Sequence, residues 1–157
     1  LKADYDVDMF GVTIHGAKSN VENSSNDGEI IHSEIRSEFS GLAVNLGYIT
    51  TNKDAGAGKM DTLGDNINPL EEGEQVYSND ADTTYIGLGY EVSGFELGAI
   101  YGETKYADDK EKELNLTVDY GINDNLSVGL LYLNVNKDEN NADPDYNKVA
   151  LTLEYSF

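Results

Sequence analysis

Residues 146–157, YNKVALTLEYSF, place an apolar side chain at every second position: Val149, Leu151, Leu153, Tyr155 and Phe157. Lys148, Ala150, Thr152, Glu154 and Ser156 lie between them. This is the two-residue period of a β-strand, whose side chains point to opposite faces in turn. The pattern recurs along the chain. ELNLTVDYGI carries Leu114, Leu116, Val118, Tyr120 and Ile122 on one parity, TYIGLGYEV carries Ile86, Leu88, Tyr90 and Val92, and GLAVNLGYIT carries Leu42, Val44, Leu46 and Tyr48. FELGAIYGE adds Phe95, Leu97, Ala99 and Tyr101. No segment has a helical period of comparable strength, so the expected fold class is all-β.

Composition narrows the function. Of 157 residues, 30 are acidic and 10 basic, giving a formal charge of -20, with no Cys, no Trp, 11 Tyr, 16 Gly and 2 Pro. Such a charge argues against nucleic acid as a partner, because binding it needs Lys and Arg to displace counterions. The absence of Cys excludes a disulfide framework, thiol chemistry and Cys-ligated zinc. No run reaches the ~20 apolar residues of a membrane helix. The regular spacing of Tyr, Leu, Val and Ile argues against disorder despite the charge. Enzymatic readings find little support: His15 and His32 are the two histidines, there is no Gly-x-Ser-x-Gly turn, and the serines have no convincing His–acid partner. The expectation is that the chain is not an enzyme.

Connections between strands fall into two kinds. YDVDMFGVTI, SEFSGLAVNL, YEVSGFELGA and YGINDNLSVGL each join two alternating runs through a few Ser, Gly, Asp or Asn residues, as tight hairpins require. Between these units lie polar connections at 18–28, 53–81, 107–110 and 137–145. Short turns at one end and longer loops at the other are the rule for outer-membrane barrels, with the loops outside. The apolar face then meets lipid and the polar face an aqueous lumen. Tyr90, Phe95, Tyr120, Tyr155 and Phe157 flank the short-turn end, where an aromatic girdle belongs. Strands are expected near 1–7, 9–17, 29–39, 41–51, 82–92, 94–105, 111–122, 125–136 and 146–157. Single-chain bacterial barrels have even strand numbers, and an open sheet leaves unpaired edges in lipid. The expectation is therefore the C-terminal half of a barrel. Residue 1 is Leu and no signal-peptide pattern opens the sequence, as expected if the chain starts after processing or is a piece of something longer.

Residues 81–157 resemble the C-terminus of an OprD-type porin, and more narrowly the major outer membrane porins of epsilonproteobacteria. The Y-x-x-x-G-F and Y-G-I-N-D-N-L-S hairpins, the N-P-L of the long acidic loop and the terminal strand ending on Phe157 carry the resemblance. It implies an antiparallel transmembrane β-barrel of 18 strands in the bacterial outer membrane, of which nine are present here. It also implies a water-filled, often trimeric diffusion channel for ions and small hydrophilic solutes, in some members cation-selective or Ca2+-binding. Its expected partners are the lipid bilayer with lipopolysaccharide, the outer-membrane assembly machinery that reads the terminal strand, two further copies of the chain, and the remaining N-terminal strands. A closed eight-stranded barrel of structural or adhesive role, starting at the second strand, is the alternative.

Taking the parity opposite each apolar face puts Glu34, Glu38, Glu91, Glu96, Glu113, Asp119 and Glu154 on the lumen side with Arg36 and Lys148. Seven carboxylates against two cations predict a net negative wall that favours cations, weakly so unless the bore narrows. His32, Glu34, Arg36 and Glu38 form either a charge ladder for polar solutes or a set of wall ion pairs. Asp138, Asp143 and Asp145, with Glu139 and Asn140, supply hard oxygen ligands suited to Ca2+, or simply a solvated acidic loop. The 53–81 segment is long enough to fold inward as a constriction or across a subunit contact, or to remain a mobile, extracellular surface loop. Leu131, Leu133 and Val135 break the pattern on the lumen parity, and a bulge near Gly129 is expected to return them to lipid.

Overall fold

A computed structural model describes residues 1–20, 27–58, 67–138 and 144–157. Nine strands follow one another: β1 (Lys2–Val7), β2 (Phe10–Ser19), β3 (Gly28–Phe39), β4 (Leu42–Thr51), β5 (Asp82–Val92), β6 (Phe95–Tyr106), β7 (Asp109–Asn123), β8 (Leu126–Lys137) and β9 (Tyr146–Tyr155). They form one antiparallel meander in chain order, and no helix occurs among the described residues. The outer edges of β1 and β9 have no strand partner among the described residues. Because β1 occupies the free edge of β2 over six residue pairs, β2 cannot close on β9. That rules out the eight-stranded alternative.

Two-residue turns close β1–β2, β3–β4, β5–β6 and β7–β8. Ser40–Gly41 and Ser93–Gly94 have positive φ at both residues, the geometry whose twist matches two paired strands. At the opposite end the 107–110 segment is not a longer loop. It is a further two-residue turn at Ala107–Asp108, with Ala107 at φ 50°, because β6 and β7 each extend beyond the expected ends.

Register sorts the side chains. Tyr5, Val12, Ile35, Leu46, Ile86, Tyr101 and Leu114 are linked strand to strand by direct pairing, so they share the outer face. Tyr48, Tyr101 and Tyr132 end this apolar band toward the loop end, and Phe39, Tyr90, Phe95, Tyr120 and Tyr155 end it toward the turns. Phe95 stacks on Tyr120 with ring centroids 4.6 Å apart. Two aromatic belts bracketing an exposed apolar band are what a barrel wall presents to a bilayer.

The inner face is where the sheet finds its core. Ile30, Ile49 and Tyr85 pack with Ala57, Ile67, Leu70 and Val76 from the β4–β5 connection. The described parts of that segment thus lie against the inner wall. Register runs unbroken through Gly129, with no bulge there, and the only shift in β7–β8 falls between Gly121 and Asn123. Leu133 and Val135 therefore stay on the inner face, fully buried beside the residues that hold the loop.

Inner-face glycines make room for larger neighbours. The Tyr85 ring lies across Gly47, where a Cβ would come within 2.1 Å of it. Gly47→Val should lower stability by about 1–3 kcal/mol through overpacking. The unfolding temperature in detergent, read as heat-dependent electrophoretic mobility, measures this. Adding Tyr85→Ala to Gly47→Val should recover part of the loss, because the two side chains compete for one space.

Candidate functional site on the inner face

The loop is built to sit where it does. The Asn52 side chain accepts the N–H groups of Asp54 (2.8 Å) and Ala55 (3.0 Å), turning the chain at once after β4. Gly56, at φ 56°, accepts the N–H of Glu29 at 2.9 Å, tying the turn to the end of β3. In the NPL motif, Asn68 Oδ1 accepts the Leu70 N–H at 3.0 Å. That Asx-type turn aims Leu70 at Gly102, where a Cβ would come within 2.9 Å of its methyl groups. The Tyr77 hydroxyl accepts the N–H of Ile67 (3.2 Å) and of Asn68 (3.3 Å).

Glu113 is the main anchor. Its two carboxylate oxygens accept the N–H groups of Glu72 (3.0 Å) and Gly73 (2.8 Å), and the residue is 1% exposed. Such charge-assisted bonds contribute more than neutral ones, and here they satisfy loop amides that would otherwise be buried bare. Lys148 Nζ adds a 2.7 Å ion pair to Glu72, and Lys137 Nζ reaches Glu74 at 3.3 Å and the buried Glu111 at 3.8 Å.

A second network lies along β1–β5. The Tyr85 hydroxyl donates to Glu34 Oε2 at 2.6 Å, and Asn45 donates to the same oxygen at 3.0 Å. Since that hydroxyl proton is committed to Glu34, His32 Nε2, 2.7 Å away, is the donor to the Tyr85 oxygen. Arg36 bonds Asp6 at 2.8 Å and the Thr13 hydroxyl, and lies 3.8 Å from Asp4 and 3.9 Å from Glu34. The ladder read in HSEIRSE is thus a cross-strand wall network over most of its length.

All nine residues expected to line the lumen project from the inner face. They divide into two groups. Glu34, Arg36, Glu113 and Lys148 are engaged by the wall or the loop, and the burial of Glu113 removes it from any open surface. Glu38, Glu91, Glu96, Asp119 and Glu154 are exposed and form no ion pair among the described residues. Register sets Glu91 opposite Glu96 and Glu96 opposite Asp119, three carboxylates abreast near the turn end. Like charges directly opposed weaken a sheet, so this row is a cost that the fold does not itself require.

Between that row and the loop lies a hollow of about 540 Å³, bordered by Arg36, Asn45, Glu71, Gly98, Asn115 and Thr117. Asn115 is 3% exposed, and neither polar atom of its amide has a hydrogen-bond partner. Sequence reasoning missed Asn115, Glu71, Glu72 and the anchoring role of Glu113. Asp145 accepts the Lys137 N–H at 2.7 Å, so the Asp138, Asp143 and Asp145 reading is at least partly one of loop structure. Asp143, Glu139 and Asn140 lie outside the described residues. No cluster of three acidic or His side chains able to hold a metal occurs among the described ones.

A family model described as Gram-negative porin matches residues 1–157. The fold is similar to the crystal structure of Pseudomonas aeruginosa OpdO, with a TM-score of 0.74 at 17% sequence identity, over 98% of this chain and 46% of that one. The chain thus spans about half the length of the solved structure it matches. No curated protein matches it.

Glu113→Ala should free the loop without breaking the sheet. Hydrogen exchange at the Glu72 and Gly73 amides should quicken about 10- to 100-fold, as expected for losing a hydrogen bond to a charged group. Amides in β7 and β8 should change little. Unchanged protection at 72–73 removes Glu113 as the anchor.

Proposed function

The chain belongs to the Gram-negative porin family, and from that premise we propose that it forms half the wall of a passive, weakly cation-selective diffusion channel. It resides in the bacterial outer membrane, among lipid. Ions and small hydrophilic solutes cross through the lumen, and the 53–81 loop narrows the bore from the side. The observation that carries the reading is the contrast between faces: an exposed apolar band outside, and inside five exposed carboxylates left without cationic partners.

Selectivity follows from which charges remain free. Lys2, Arg36, Lys137 and Lys148 are each paired with carboxylates, so the inner-face strand cations offer little to a passing anion. Glu38, Glu91, Glu96, Asp119 and Glu154 raise the local cation concentration near the turn end. Screening within about 8 Å at physiological salt limits this in a wide bore and less in a narrowed one.

The hairpins, the NPL turn and the terminal strand support reading the chain as an OprD-type porin, and more narrowly as one resembling the epsilonproteobacterial major porins. On this reading the wall is completed to 18 strands by further strands, the porin is a trimer, the loop end is extracellular, and residues 146–157 are read by the assembly machinery. No step of the channel needs a bound metal or cofactor.

Reversal potential in a planar bilayer under a roughly tenfold KCl gradient tests the reading. Stepwise conductance with a potential toward that of K+ is expected. Replacing Glu91, Glu96, Asp119 and Glu154 by their amides should move the potential most of the way to zero. An anion preference in the parent protein, or the same potential in the variant, defeats the assignment.

A further inference from the structure

His15 and His32, the two histidines of the chain, stand directly opposite each other on the inner face of β2–β3. Side chains paired this way across an antiparallel ladder have Cβ atoms about 4.5–5.5 Å apart, near enough for two imidazoles to share one ion. The row they occupy begins at Lys2 and continues through Ile49, which packs against the loop. Both rings are partly exposed and border a hollow of about 510 Å³ that Ile67 of the loop also lines.

The hydrogen bonds around His32 fix its tautomer. Glu34 takes the Tyr85 hydroxyl proton at 2.6 Å, so His32 Nε2, 2.7 Å from that hydroxyl oxygen, carries the ring proton. In the neutral ring Nδ1 is then bare, a lone pair without a hydrogen-bond partner among the described residues. Metal-binding histidines are held in the same manner, with the other ring N–H donated to an oxygen that is itself anchored. The His15 ring has no hydrogen bond or ion pair among the described residues. The charges around the pair sum in favour of a cation. Lys2 is matched by Asp4 at 3.3 Å and Arg36 by Asp6 at 2.8 Å, which leaves the Glu34 carboxylate in excess.

We propose that His15 and His32 together bind a late first-row divalent metal ion, of the class of Ni2+ and Zn2+, with water in its remaining positions. Imidazole suits these borderline ions, whereas Ca2+ and Mg2+ take oxygen ligands. A structural metal centre closes its coordination with protein ligands. Two imidazoles with water make instead a reversible site, where an ion pauses on the inner wall beside the loop. The inference goes beyond the channel reading, since binding is defined by the wall itself.

The test uses the full protein purified in detergent and titrated with Ni2+ by calorimetry, in excess calcium chloride to occupy carboxylates. Saturable binding is expected in the parent protein. His15→Gln and His32→Gln should each weaken it about tenfold or more, because each removes one of two imidazoles. Affinity in the parent should also fall about tenfold or more from about pH 7.5 to about pH 5.5, since both rings must give up their protons to bind. No Ni2+ binding by the parent, or undiminished binding in either glutamine variant, overturns the proposal. Should the variants not fold, the parent decides: affinity that holds at the lower pH belongs to other groups and overturns the site. Conductance of the same preparation in planar bilayers separates the two levels. Conducting protein that binds no Ni2+ sinks the metal site alone, and binding without conductance supports the site while defeating the channel reading.

Discussion

A peptide group in hydrocarbon has no water to bond, so each N–H and C=O of a membrane-crossing strand must find its partner in the sheet. Each unmet group costs several kcal/mol. The nine-stranded meander answers with long registers and two-residue turns, and its only interior shift lies at the turn end of β7–β8. Once the backbone is satisfied this way, one face can be wholly apolar. Polar chemistry is then confined to the other face and to the rims. The 53–81 segment obeys the same rule. Where it presses on the inner wall, Glu113 accepts the amides of Glu72 and Gly73 and Lys148 balances Glu72, so those loop groups are not buried bare, whereas the Asn115 amide and one Glu111 oxygen are buried without a hydrogen bond.

Alternation made the strands legible, because a face in lipid demands an apolar side chain at every second residue with few exceptions. Turn residues made the hairpins legible, since Ser-Gly supplies the positive φ that both tight turns need. The loop position was written less plainly. Its signal was the set of apolar residues at lumen parity: Ile30, Ile49, Ile100, Leu133 and Val135. Read strand by strand these look like defects, which is why a bulge near Gly129 was expected for Leu131, Leu133 and Val135. Taken together, they are the floor of a core that the loop roofs. The anchoring role of Glu113 could not be read at all, because nothing in an alternating strand separates a carboxylate facing water from one facing a folded-back amide.

Counting charges by parity also overstated their uniformity. Glu34 is held by Tyr85 and Asn45, and Arg36 by the acids of β1. What remains is a cluster near the turn end, where Glu91, Glu96 and Asp119 stand side by side. A sheet that needed only to fold would set opposite charges in those positions, as it does at Lys18 and Glu29. The local departure from stable pairing falls on the surface to which the proposed channel assigns its selectivity.

Strand parity constrains how such a wall closes. Nine strands in a strict antiparallel meander leave β1 and β9 running in the same direction. A second copy of the sheet, set beside the first in the same membrane orientation, would meet both edges in parallel and make two parallel seams. Inverting the copy would restore antiparallel pairing, but it would put the loop of one half beside the short turns of the other, and the two acidic rows at opposite ends of the lumen. Closure with antiparallel bonds throughout needs an odd number of further strands from a different segment. If the wall proposed above closes with antiparallel bonds throughout, the strands beside β1 and β9 are therefore not those of a second copy of this sheet.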